Sequence, residues 1–115
     1  MTKTALQVQT EALRHIGVAD IEDTPDAADI SRAAQHLEGC YDVLSDVDEL
    51  AMDWTTAAVP DAVWLGLSIM LAGSLSSAYS KPEYIGEYQR GRAKVRAYEM
   101  MQMKVDNQAI KAEYF

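Results

Sequence analysis

Apolar residues recur along this chain at steps of three and four, the period of a helix and not of a strand. Ala5, Val8, Ala12 and Ile16, with Leu6 and Leu13 beside them, mark a first helix over about Ala5–Ile16. Thr4 and Gln7 stand at capping-box spacing ahead of it: the hydroxyl can accept from the backbone three residues on, and the amide can reach back. Gly17 then offers a left-handed stop, after which Val18 can fold back on Leu13. An acidic loop, residues 19–24, leads to Thr24 and Pro25, which read as N-cap and first helical residue of a second helix. Ile30, Ala34, Leu37, Tyr41 and Leu44 carry its apolar face, and the pattern frays between Asp48 and Asp53.

The segment 53–60 holds β-branched residues but is too short to nucleate a sheet alone. Pro60 and Asp61 open a third helix without charge from Ala62 to Ser80. Val63, Leu67, Met70, Leu71 and Leu75 supply its bulk, and Ala62, Gly66, Gly73 and Ser77 form a stripe of small residues. A helix apolar nearly all round belongs at the centre of a bundle or inside a membrane. Lys81-Pro82 ends it, because the residue before proline avoids helical geometry. A fourth helix runs from about Pro82 to Lys104, with Tyr84, Tyr88, Gly91, Val95 and Tyr98 on one face. The expected architecture is an all-α bundle of about four helices over residues 1–104, followed by an extended C-terminal tail over 105–115. The tail carries Val105, Ile110, Tyr114 and Phe115 on a segment too short to bury them itself. Such residues dock on a partner, fold back on the chain's own core, or fray.

Charge sharpens this picture. The 115 residues carry a net charge of −8, unevenly placed. Residues 1–61 hold 3 Lys/Arg against 13 Asp/Glu, whereas residues 62–115 hold 7 against 5. This asymmetry suits head-to-tail contacts between copies, opposite faces for different partners, or simply a solvated acidic surface, and it disfavours tight DNA binding, which needs basic residues on the phosphates. The basic residues Arg90, Arg92 and Arg96 are expected to meet the acidic Asp42 and Asp46, within or between subunits. Cys40 is the one cysteine, so no disulfide forms within the chain, as suits a reducing compartment. The start of the chain, Met1–Thr4, has no apolar core of a secretory leader.

Candidate chemistry is sparse. His36 and Cys40 share a helix face, but with His15 on another helix they do not complete the three or four ligands a zinc ion takes. Asp46, Asp48 and Glu49 resemble the start of a calcium loop, yet Ala51 stands where that loop requires glycine. Glu11 and Asp20 form a carboxyl pair that a chain with 18 acidic residues produces by chance. No catalytic residues, cofactor or metal ligands are assigned, and the chain reads as a non-enzyme.

The order of segments does resemble a known family. The run Glu11–Val18 precedes an acidic loop, a long alternating helix over Ile30–Leu44 and a Trp-bearing connection. The run Val59–Leu67 then opens an apolar helix ending in Ala78 and Tyr79, and a Tyr/Arg-rich helix closes the domain. Over about residues 4–104 this is similar to the head–tail connector, or adaptor, proteins of tailed bacteriophages and gene-transfer particles. The resemblance implies a virion structural protein of the neck, assembled in the host cytoplasm as a homo-oligomeric ring of about twelve copies (a dodecamer). That ring sits between the portal protein and a tail or stopper protein and extends the DNA channel, with no sequence-specific DNA contact and no membrane. The portal-docking role would fall on Val105–Phe115. The connection over 48–60 is shorter than the projecting loop of several relatives. Two other readings stand beside it: a small membrane protein spanning once through residues 62–80, and a helical interaction module unrelated to phage.

Overall fold

The computed structural model describes residues 2–20 and 24–102, and the backbone of 103–114. Four α-helices dominate: α1 (Ala5–His15), α2 (Ala27–Asp42), α3 (Asp61–Ser76) and α4 (Glu87–Tyr114). The all-α bundle expected from periodicity is the fold observed. Two short strands, β1 (Thr2–Lys3) and β2 (Val59–Pro60), pair antiparallel and fasten the start of the chain beside the start of α3.

Each helix begins and ends for a local reason. The capping box of α1 is formed: Gln7 N–H donates to Thr4 Oγ1 at 3.2 Å, and Thr4 N–H donates to Gln7 Oε1 at 2.8 Å. Gly17 takes φ +77°, and Val18 N–H returns to the Leu13 carbonyl at 3.0 Å. Leu6 departs from the expected apolar face and stands 57 % exposed. The second helix starts later than Thr24-Pro25 suggested. Asp26 holds the extended N-cap backbone, so Pro25 falls outside the helix and Ala27 is its first residue.

Beyond Asp42, α2 widens into a π-helical turn over Val43–Val47. It closes with Glu49 in the left-handed region at φ 54°, and Leu50 N–H donates to the Leu44 carbonyl at 3.1 Å. The buried stripe of α2 and this turn is Ala33, Leu37, Cys40 and Leu44; Ile30, Ala34 and Tyr41 are half-buried beside it.

The connection to α3 lies down on the bundle. Val59 and Trp54 are buried, and the Tyr41 hydroxyl donates to the Trp54 carbonyl at 2.7 Å with the two rings edge to face. α3 is packed by α1, α2 and, most extensively, α4. Its buried serines do not strand their hydroxyls: Ser68 donates to the Trp64 carbonyl and Ser76 to the Gly73 carbonyl. α3 stops at Ser76, short of the expected Ser80. Lys81 N–H caps the Ser76 carbonyl at 2.8 Å, and Ser80 turns the chain at φ 55°. A 3₁₀ turn over Pro82–Tyr84 separates it from α4, which therefore begins at Glu87 and not at Pro82. Among the described residues no helix is long and apolar enough to cross a membrane. α3 instead buries its sides in the other three helices, which is why it needs no charge.

α3 and α4 approach closely because glycines meet across the contact. A Cβ on Gly91 would lie 2.7 Å from Met70 Cα, and a Cβ on Gly73 would lie 2.6 Å from Tyr88 Cα. Gly66 faces Gly91 in the same seam. The small-residue stripe read in the sequence is thus real at Gly66 and Gly73, while its ends, Ala62 and Ser77, are exposed.

Candidate functional site

Three polar seams fix α4 against the rest of the bundle. Arg92 reaches the end of the π-turn and grips Asp48 with two bonds, Nε to Oδ2 at 2.9 Å and Nη2 to Oδ1 at 2.6 Å. The Asp48 side chain is 5 % exposed. The guanidinium bonded to it holds its carboxyl below the usual aspartate value, against the opposing push of burial, and Arg96 adds a further favourable charge. Near the start of α4, Glu87 binds His15 Nε2 at 2.9 Å and Arg90 Nη1 at 3.1 Å. Further along, buried Glu99 accepts from Trp54 Nε1 at 2.7 Å and ties the connection to α4.

These seams bear on the charges singled out from the sequence. Within the chain Arg92 pairs with Asp48, and Arg90 pairs with Glu87 on its own helix. Among the described residues neither Asp42 nor Asp46 has an ion pair within 4 Å. The reason is the π-turn: its widened backbone and the reversal at Glu49 turn Asp48 in toward α4, and Asp42 and Asp46 stay exposed on the outer face. The calcium-loop likeness also ends here, because Arg92 occupies both oxygens of Asp48.

The histidine and cysteine positions do structural work. His36 Nδ1 and Ser74 Oγ lie 2.8 Å apart between α2 and α3. The Cys40 thiol is buried beside them, and burial pushes its pKa up to about 12, outweighing the hydrogen bond with Ser74. Such a thiol stays protonated and unreactive at neutral pH. Among the described residues no group of three or more His, Cys, Asp or Glu is placed to hold a metal ion.

Two surfaces remain unsatisfied. The first lies on α4 just past Glu99. Its buried positions run to Val95 and Glu99, and then Met100 and Met101 stand 57 % and 66 % exposed. The helix continues to Tyr114, past the Lys104 end expected from the sequence. The docking residues proposed for the tail, Val105, Ile110, Tyr114 and Phe115, lie outside the residues whose side chains are described. The second is a groove of about 310 Å³ lined by Lys3, Leu6, Gln7, Arg14, Trp64 and their neighbours Thr10 and Glu11. Lys3 Nζ sits 5.5 Å from the Trp64 ring centre. Arg14 Nε is buried there without a hydrogen-bond partner.

Sequence reasoning did not single out Lys3, Arg14, Trp64, Met100 or Met101. Lys3 and Trp64 meet because β1 pairs with β2, a contact between the chain's start and its middle that has no periodic signature. No family model, no curated protein and no solved structure matches the chain.

Proposed function

We propose that this protein is a structural adaptor of a tailed bacteriophage, a subunit of the ring between the portal protein and the tail. The observation that carries the reading is the exit of α4. Just past the buried Glu99, α4 presents two adjacent exposed methionines, and its helical backbone runs on to Tyr114. Exposed flexible apolar side chains at a helix end favour a partner's surface. The order of segments, which resembles that of phage connectors, suggests the kind of partner, and the charge asymmetry between the two halves suits repeated contacts that close a ring. In this reading the α1–α3 bundle is the wall of the ring, and the far part of α4 is the anchor on the portal.

Deleting residues 105–115 tests the anchor. The truncated chain keeps its helical circular-dichroism signal and its cooperative melt but no longer co-sediments with portal rings. Retained portal binding would remove the far part of α4 from that role.

A further inference from the structure

We infer that the groove between α1 and the start of α3 is a docking site for the acidic π-turn of a second copy of this chain, centred on Asp42, Asp46 and Val47. This deepens the adaptor reading, since it names the surfaces by which neighbouring subunits would meet.

The groove has the chemistry of an acceptor-seeking, partly apolar socket. Arg14 is one of its lining residues, and the Arg14 Nε is buried with no acceptor, a costly state for a guanidinium donor. Among the described residues neither Arg14 nor Lys3 has a carboxylate within 4 Å. Glu11 also lines the groove, so the charge there is two cations against one anion. Leu6 and Trp64 give the same groove an apolar wall.

The π-turn has the complementary chemistry. Val47 is 67 % exposed, the most exposed large apolar side chain among the described residues, and it sits beside Asp46. Asp42 and Asp46 are exposed, four residues apart and without ion pairs among the described residues. An apolar knob flanked by carboxylates thus faces solvent on one part of the fold, and a basic groove with an apolar wall on another. The two surfaces share no residue, so each copy can offer both at once. A contact between unlike surfaces is heterologous and propagates from copy to copy, which is the type that closes into rings.

The experiment is a charge exchange read by sedimentation velocity across a concentration series of the full-length chain at low salt. Val47→Lys sets a cation against Arg14 and Lys3, and Arg14→Glu sets a carboxylate against Asp42 and Asp46; each is expected to weaken self-association about tenfold or more, since like charges are brought together. Asp46→Arg behaves the same alone, and the double variant Arg14→Glu/Asp46→Arg regains association. Thermal melts of each variant separate lost contact from lost fold, and Val47→Lys carries the test if Arg14→Glu unfolds. A wild-type chain that stays monomeric at its solubility limit, or association unchanged in Val47→Lys and Asp46→Arg, overturns the inference. Portal binding by a wild-type chain whose association ignores these variants leaves the adaptor reading standing and removes this surface. Association through the groove without portal binding does the reverse.

Discussion

Gly73 and Gly91 set the distance between the two longest-packed helices, because in each case the atoms that a Cβ would strike belong to the opposing backbone. Backbone cannot swing aside as a side-chain end can, so a methyl group there forces α3 and α4 apart. Gly73→Ala and Gly91→Ala are each expected to destabilise the fold by about 3 kcal/mol, the upper range for overpacking. Gly17→Ala is a useful contrast: nothing lies within 4 Å of its added Cβ, so its cost is the left-handed backbone alone, about 1 kcal/mol. Urea denaturation of the three variants checks the order. Asp48 is the other residue on which much depends. Its carboxyl titrates lower in the folded chain than in the unfolded one, so its pairing with Arg92 is fully present above about pH 4 and is lost as pH falls through the lower folded value. Asp48→Asn is expected to cost about 2 kcal/mol at pH 7, the scale of hydrogen bonds to a charged group, and to flatten the acid side of the stability curve. Melts of wild type and variant from pH 3 to 7 read both effects; an equal loss at every pH would mean that the charge on Asp48 does not matter. For the same reason Arg92→Glu probes the fold of one subunit before it probes any contact between subunits.

The elements differ in how far the sequence announced them, and the difference is physical. α1 was legible to its caps because Thr4, Gln7, Gly17 and Val18 act on the backbone within a few residues of themselves. α3 was legible as a central helix because continuous apolar character has few other uses, and its glycines were legible as a packing stripe. Their partner across the seam, Gly91, was placed on the correct face of the fourth helix, but one helix's pattern says nothing of which glycine it meets. The π-turn was not legible. An inserted residue leaves the apolar spacing of Leu37, Tyr41 and Leu44 untouched and acts downstream, where it decides that Asp48, and neither Asp42 nor Asp46, faces Arg92. The candidate groove was hidden for a related reason: it depends on a two-residue strand pairing between positions 2–3 and 59–60. The connection over 48–60 was read as short, and the structure gives the cause of its compactness: Trp54 is bonded to Glu99, and Thr56 to Glu38 at 2.7 Å.

At the scale of the whole molecule, the interior is settled and the exterior is not. The core is closed by three polar seams and a glycine contact, while an acidic knob, a basic groove and a methionine-bearing helix exit all face outward. A domain of this size has modest burial of its own, to which contacts with neighbouring copies would add. On the adaptor reading, the knob and the groove would meet neighbouring copies and the helix a third partner. The direct test is electron microscopy of the purified chain mixed in excess with the portal rings that the adaptor reading calls for. The adaptor reading predicts an added ring of about twelve copies on one face of the portal, with density for α4 running into it. Portal rings that remain bare in the presence of excess folded protein would contradict it.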